Sequence, residues 1–204
     1  MLKTERMDRV RAALRAQGLT QMIVCDPKSV WYLTGVAVEP YERLLALYLP
    51  TEGEPVLFLN RLFNVPEPPC RTVWHTDTDK PVAQIAEVVD AGRPLGIDKE
   101  WPAKFLIPLM ETHPGMQVVL SSDCVDDCRA CKDAEEQTLM REASRINDAV
   151  NEAAKHYIKA GMTEREVAEF IDAQFRAHGC EGPSFTTIVS FGANAADPHQ
   201  DRKS

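Results

Sequence analysis

The sequence predicts an α/β domain over residues 1–128, followed by the opening part of an α+β domain over residues 129–204. Short apolar runs bounded by turn residues indicate buried strands, and amphipathic segments of helical period separate them. Such alternation is typical of a mixed sheet with flanking helices. After about residue 132 the pattern changes to two long amphipathic helices and one β-rich segment, which indicates a second domain.

The first predicted element is a helix over residues 4–17. Met7, Val10 and Leu14 recur at helical spacing and form one apolar face. Gly18 follows them, and glycine commonly ends a helix in the left-handed conformation.

Six short apolar segments are the predicted strands: 21–25, 43–50, 55–60, 71–76, 94–98 and 116–122. The second and third strands flank the polar turn 51–54, which predicts a hairpin. Three helices are predicted between strands, over 28–35, 81–91 and 103–115. Asp26 and Pro27 open the first of these, because Asp caps a helix and Pro is tolerated in its first turn.

The second region begins with a long predicted helix over residues 133–160. Asp133 with Glu136, and Thr163 with Glu166, have the spacing of capping boxes, so a second helix is predicted after Thr163. The segment 184–192 alternates and is rich in β-formers, which predicts a strand. Two helices and one strand leave apolar faces and strand edges without partners, so this region is expected to be an incomplete domain.

Composition excludes several classes of function. The net charge of −8 argues against nucleic-acid binding, which depends on clustered Lys and Arg. The charged N-terminal segment lacks the apolar core of a signal peptide, and no apolar run is long enough to span a bilayer. We therefore expect a cytoplasmic protein with no membrane partner, whose six cysteines are reduced thiols.

Three cysteines have a spacing that matches one kind of iron–sulfur site. Cys124, Cys128 and Cys131 form the pattern C-x3-C-x2-C, which resembles the cluster motif of radical S-adenosylmethionine enzymes. The same spacing places three thiols on one face of a helix, where packing explains them equally well. The residue before Cys131 is Ala130 instead of an aromatic residue, and we favour packing. A thiol metal site remains the alternative.

Several motifs, in order, resemble the creatinase/prolidase/aminopeptidase P family of "pita-bread" metallohydrolases. They are VWYLTG at 30–35, the hairpin at 42–59, the segment 128–150 with Arg129, Lys132 and Glu136, and the segment 161–199. The resemblance covers essentially the whole chain. It implies a creatinase-like N-terminal domain and the first two helices and first strand of a pita-bread catalytic domain.

The resemblance also implies a role for one histidine and for metal ions. His199 ends the G-x-N-A-A-x-P-H segment, where the family's histidine contacts the substrate or the tetrahedral intermediate. Gln200 stands where members often have a second His. Full-length relatives bind two divalent ions, Mn or Co, through ligands that follow this histidine, so no cofactor is expected in this chain.

The function implied by the resemblance is an Xaa-Pro peptidase, a proline dipeptidase or aminopeptidase P-like metallohydrolase, that acts on peptides or small amides as a homodimer. The chain ends before the family's metal ligands and is expected to be inactive alone. A fragment of a creatinase or an ectoine-type hydrolase is an alternative, and so is a non-catalytic dimerisation or binding module with exposed apolar helix faces.

The remaining candidate residues are expected to be structural. Trp31, Tyr32 and Leu33 are expected to be core anchors, because aromatic and aliphatic residues at such spacing usually pack. His75 has no neighbouring ligand in the sequence, and His178 ends a helix, where a histidine interacts favourably with the helix dipole. The sequence has no P-loop, no G-x-G-x-x-G, no H-E-x-x-H and no G-x-S-x-G motif.

Overall fold

A six-stranded mixed sheet forms the first part of the computed structural model, which describes residues 2–197. Its strands are β1 (Gln21–Val24), β2 (Ala46–Pro50), β3 (Val56–Asn60), β4 (Arg71–His75), β5 (Leu95–Ile97) and β6 (Val118–Leu120). They lie in the order β4-β3-β2-β1-β5-β6. The predicted α/β class, with a mixed sheet and flanking helices, is confirmed.

The direction of the strands brings the ends of five of them to one side of the sheet. β2 is antiparallel to β1 and to β3, as the hairpin prediction requires, whereas all other neighbouring pairs are parallel. Five strands therefore end, and β2 begins, at the same side, which we call the carboxyl edge. The segments that follow the strands at this edge include the polar residues Asp26, Asp98 and Ser122.

Helices cover both faces of the sheet, since successive side chains along a strand point to opposite faces. The helices of this unit are α1 (Thr4–Ala16), α2 (Pro27–Thr34), α3 (Pro81–Ala86), α4 (Ala103–Thr112) and α5 (Asp123–Ala130). Residues of α1, α2 and α5 pack with Met22 and Val24 of β1 in one core cluster. Residues of α3 and α4 pack with Ile23 of β1 in the other.

The chain divides into two compact units between Cys131 and Lys132, three residues after the predicted boundary. Two helices dominate the described part of the second unit, α6 (Ala134–Tyr157) and α7 (Glu164–Ala177). Both predicted capping boxes are present at the starts of these helices. The rings of Tyr157 and Phe170 stack between the helices, with centroids 3.8 Å apart and planes 2° from parallel.

The predicted strand over 184–192 is not formed. The described residues from 184 to 191 have no regular secondary structure, and a short 3₁₀ helix follows at Gly192–Ala196. A strand requires ladder hydrogen bonds to a neighbouring strand. No other strand is present between residues 132 and 197, so the β-forming sequence has nothing with which to pair. The carboxylate of Glu164 instead accepts hydrogen bonds from the Phe191 amide and the Asn194 side chain.

Among the helices of the described residues, none is both long enough and apolar enough to cross a membrane. The longest of them, α6, has 24 residues and is capped by charged side chains.

Replacement of Gly96 by alanine is expected to destabilise the first unit. A Cβ atom at Gly96 would lie 2.5 Å from Ser121 Oγ, 3.0 Å from Met22 Cβ and 3.2 Å from Gln21 O. We expect Gly96→Ala to lower the free energy of unfolding by about 1–3 kcal/mol, as overpacking of an interior does. All three tryptophans precede Cys131, so urea unfolding followed by tryptophan fluorescence reports on this unit.

The matched control is Gly92→Ala. Its added Cβ atom meets only the Asp90 Oδ1 atom at 3.3 Å, at the end of a side chain that can move. A change within about 0.5 kcal/mol is expected for this control, as is usual at exposed sites. Equal destabilisation by both substitutions would contradict the close approach described for Gly96.

Candidate functional site

Polar side chains follow three neighbouring strands at the carboxyl edge of the sheet. Asp26 comes shortly after β1, Asp98 directly follows β5, and Ser122 follows β6. These three strands are parallel, and ligands of open α/β sheets bind outside the carboxyl ends of parallel strands. The edge is therefore the first place to look for a site in this unit.

Asp98 is a buried carboxylate that is 5% exposed and surrounded by donors. Its Oδ2 atom accepts hydrogen bonds from the amides of Cys25 and Asp26, at 2.5 and 2.9 Å. Its Oδ1 atom accepts from the amide of Glu100 at 3.0 Å and from the Cys25 thiol at 2.9 Å. Burial, together with the negative charge of Asp98, raises the pKa of Cys25, so this thiol stays protonated and acts as a donor. The group is a structural anchor, because a protonated buried thiol is not a nucleophile.

Asp26 connects the start of α2 to the last turn of α5. Its Oδ2 atom accepts from the Ser29 amide at 2.8 Å and from the Ser29 hydroxyl at 2.7 Å, which caps α2. Arg129 Nη1 donates to the same oxygen at 3.2 Å and to Ser29 Oγ at 3.0 Å. Arg129, one of the residues that carry the family resemblance, therefore has a definite structural partner.

A cavity of about 230 Å³ lies among these residues. Three cations line it, Lys28, Lys99 and Arg129, together with four acidic residues, Asp26, Asp98, Glu100 and Asp126. Ser29, Ser122 and Val125 complete the lining. Two of the cations pair with acids of the same lining, as Lys99 does with Asp126 and Arg129 with Asp26. Ligand pockets usually measure about 300–1,000 Å³. The small volume of the cavity, and the ion pairs among its lining residues, indicate a polar gap between packed elements rather than a catalytic pocket.

A second polar cluster lies at the carboxyl ends of β3 and β4. His75 is 2% exposed, and its Nε2 atom donates to the carbonyl of Leu44 at 3.1 Å, while Asn60 lies 3.4 Å from its Nδ1 atom. Asn60 also donates a hydrogen bond to Asp77. Arg43 donates two hydrogen bonds to the Asp77 carboxylate, each 3.0 Å long. The hydrogen bond from Arg43 holds the pKa of Asp77 below its usual value. The sequence interpretation of His75 as an isolated residue missed this network.

The candidate residues named from the sequence lie in different parts of the chain. His199 lies outside the described residues. Cys124 is 1% exposed and belongs to the core, Cys128 is half-buried, and Cys131 is exposed. Burial raises the pKa of Cys124 to about 11 and also raises that of Cys128. His178 at the end of α7 is hydrogen-bonded through Nδ1 to the Gln174 carbonyl at 2.9 Å.

One of the expected core anchors is not in the core. Tyr32 is 5% exposed and Leu33 is fully buried, but Trp31 is 53% exposed. The helix α2 has only eight residues, and its buried face is already occupied by residues on either side of Trp31. Successive residues on a helix point about 100° apart, so Trp31 projects away from that face. The expectation for Trp31 was wrong.

The potential metal ligands among the described residues are not arranged as a metal centre. Between residues 2 and 197, no group of three or more His, Cys, Asp or Glu side chains is arranged to hold an ion. The three cysteines therefore do not form such a group, and the described residues offer none for the two divalent ions that the family resemblance implies. We therefore derive no chemical step through a metal from these residues.

The second unit contains a larger cavity, of about 550 Å³, between α6, α7 and the segment that follows α7. Apolar residues such as Ile146, Ile171 and Phe175 line most of it, and Asn147 and Asn151 are among the polar residues present. Its composition resembles an open hydrophobic core more closely than a reactive site.

Asp98→Asn is expected to destabilise the first unit. The amide retains one acceptor oxygen but presents an NH₂ group to backbone donors, which leaves buried hydrogen-bonding groups unsatisfied. We expect a loss of about 2 kcal/mol in the free energy of unfolding, measured by urea titration with tryptophan fluorescence.

Glu100→Gln provides the control, because Glu100 is exposed and lines the same cavity. It makes the same change from carboxylate to amide two residues away, and we expect an effect within about 0.5 kcal/mol. If Asp98→Asn were as mild as this control, the anchoring role of Asp98 would be refuted.

Two family models match the chain, one in each region. The creatinase/prolidase N-terminal domain matches residues 6–131. Metallopeptidase family M24 matches residues 138–204. The order of the two matches follows the order of the two structural units.

Solved structures of similar architecture are prolidases and dipeptidases. Recombinant prolidase from Thermococcus sibiricus is 26% identical with a TM-score of 0.87, over 98% of this chain and 57% of that chain. Dipeptidase PepE from Mycobacterium ulcerans is 28% identical with a TM-score of 0.84, over 96% of this chain and 54% of that chain. Both similarities extend through both units.

A curated relative, an uncharacterised peptidase of Staphylococcus aureus, is 31% identical over 187 residues, which make up 86% of this chain and 51% of the relative. The chain thus spans about half the length of the curated relatives that it matches. The N-terminal family model alone covers more than half of the sequence. This chain therefore belongs to the creatinase/prolidase family of pita-bread metallopeptidases.

Proposed function

We propose that this chain provides the N-terminal domain and the first catalytic-domain helices of an Xaa-Pro dipeptidase, and that residues 1–204 alone do not hydrolyse peptides. The observation that carries the proposal is the ordered match of both family models, combined with the similarity to a prolidase over nearly the whole chain. The second part of the proposal rests on the described donor set, which offers no metal-holding group.

Divalent metal ions, Mn or Co, are the proposed cofactors of the complete enzyme. Such ions supply an activated water as the nucleophile in metal-dependent hydrolysis. The proposed contribution of this chain to the reaction is His199, which would donate a hydrogen bond to the substrate or to the developing oxyanion. Among the described residues, the capping boxes that open α6 and α7 have a structural role.

A homodimer in the cytoplasm is the proposed state of the protein. Support for self-association comes from large apolar side chains that are exposed in the second unit, including Leu139 at 65%, Met140 at 55% and Phe185 at 73%. Large exposed apolar surfaces are typical of interaction sites. The same observation supports the second candidate function, a non-catalytic dimerisation or binding module.

The first experiment measures proline release from an Xaa-Pro dipeptide in the presence of Mn²⁺ or Co²⁺. We expect no release by residues 1–204 above the metal-only background, because the described residues lack a metal-holding group. Prolidase from Thermococcus sibiricus serves as the positive control under the same conditions. Metal-dependent release by residues 1–204 would overturn the proposal of an inactive chain.

A chimera tests the catalytic assignment separately. Residues 1–204 are joined to the part of the Thermococcus sibiricus prolidase that the match leaves uncovered, and folding is checked by circular dichroism. We expect metal-dependent proline release, reduced by about 100-fold or more in the His199→Ala variant, as happens when an oxyanion donor is removed. A folded chimera with unchanged activity after His199→Ala would refute the role of His199.

Light scattering over a range of concentrations tests the homodimer. We expect a mass twice the 22.8 kDa of one chain, and a shift towards the monomer in Leu139→Lys, because a charge opposes burial of this surface. Leu62→Lys is the control, since Leu62 is 69% exposed in the first unit. A wild-type monomer at every concentration would exclude both the homodimer and the dimerisation module.

A further inference from the structure

Two thiols lie at the end of α5, directly before the connection to the second unit. Cys128 is in the last turn of this helix, and Cys131 is the residue that follows its last helical residue. We call this pair the α5 dithiol. Cys128 packs partly against the core cluster that contains Cys124. Neither that packing nor the proposed peptidase function accounts for Cys131, which is exposed and lies outside any metal grouping of the described residues.

The two cysteines are three residues apart in the sequence, at the end of α5. Side chains three residues apart on a helix have Cβ atoms about 5–6 Å apart, and a disulfide requires about 3.5–4.5 Å. Cys131 has an extended backbone, with φ −93° and ψ 100°, so it is already outside the helical hydrogen-bond ladder. The closer approach that a disulfide needs would therefore come from the backbone of Cys131, which is not held by the helix.

The helical side of the pair is held in place. The Tyr32 hydroxyl donates a hydrogen bond to the Cys128 carbonyl at 3.2 Å. The neighbouring Arg129 is bound to Asp26 and Ser29 of the first unit. Cys128 is thus anchored by hydrogen bonds at and beside it, and the adjustment needed for closure is assigned to Cys131.

The two thiols also differ in accessibility. Cys131 is exposed, whereas Cys128 is half-buried. Burial raises the pKa of Cys128, the positive charge of Arg9 opposes that increase, and the negative charges of Asp127 and Cys131 add to it. An oxidant from solution therefore meets Cys131 first, and Cys128 is positioned to react second.

We propose that Cys128 and Cys131 form a peroxide-oxidisable dithiol that closes to an intramolecular disulfide. The Cys131 thiol gives its proton to solvent, and the thiolate attacks one oxygen of hydrogen peroxide. The O–O bond breaks, the sulfenic acid forms, and the departing hydroxide takes up a proton from solvent to become one water. The Cys128 sulfur then attacks the sulfenic sulfur, the S–S bond forms, and the S–O bond breaks to release a second water with the Cys128 proton. Two thiols are oxidised, and one peroxide is reduced to two waters.

Mass spectrometry of the complete chain tests this directly. The reduced protein is treated with equimolar hydrogen peroxide, the remaining thiols are alkylated, and the sample is digested with trypsin without reduction. Trypsin cleaves after Arg129, between the two cysteines. We expect the peptide that ends at Arg129 to remain joined to the tripeptide 130–132, and fragmentation to place the bond at Cys128.

Single variants distinguish the proposed pair from other pairings. Cys128→Ser and Cys131→Ser are expected to abolish the link, whereas Cys124→Ala and Cys180→Ser retain it. In Cys128→Ser the sulfenic acid on Cys131 has no resolving thiol, so its labelling by dimedone should rise about tenfold or more.

Three outcomes would overturn the proposal. One is oxidation of Cys131 to sulfinic or sulfonic acid in the wild type without a cross-link. Another is a disulfide between two chains, seen as a dimer on a non-reducing gel. The third is loss of the link in a folded Cys124→Ala variant, which would assign the bond to Cys124.

Discussion

The burial of one carboxylate at the carboxyl edge determines how the surrounding elements are joined. Asp98 leaves water only because three backbone amides and one thiol supply it with hydrogen bonds. Those donors come from the segments that directly follow β1 and β5, so the end of each strand is fixed relative to the other. The position of β1 then sets Asp26, which caps α2 and receives Arg129 from α5. A single desolvated charge thus organises the polar side of the first unit.

Local signals predicted most of the elements of the fold. Caps at Asp26, Asp133 and Thr163, and the alternation of apolar runs, depend on residues close in sequence, and the structure contains the corresponding helices and strands. The strand predicted over 184–192 failed because a ladder needs a second strand, which propensity alone does not supply. The burial of Trp31 was predicted wrongly for a similar reason, because the orientation of a short helix on a sheet depends on tertiary packing.

The candidate site was less accessible from the sequence than the fold. An Asp or Ser within two residues of the end of a short apolar strand, as at Asp98 and Ser122, was a usable signal for residues at the carboxyl edge. What could not be predicted is that the charges there pair with one another and leave only a small cavity. The family resemblance, in contrast, came from motif order, and both family models match the chain. His199 depends on that resemblance alone.

The packing of α1 against α5 has a consequence for synthesis on the ribosome. Met7, Val10 and Leu14 share a core cluster with Cys124 and Val125, so the first and last helices of the unit are neighbours. The apolar face of α1 therefore has no complete partner until about 125 residues have been translated and released from the exit tunnel, since domains generally fold as units. The α6–α7 pair needs only adjacent sequence and closes with much shorter loops, so it forms on a faster timescale. Chaperone contacts during translation are accordingly expected on the N-terminal helix, where unpaired apolar surface persists longest.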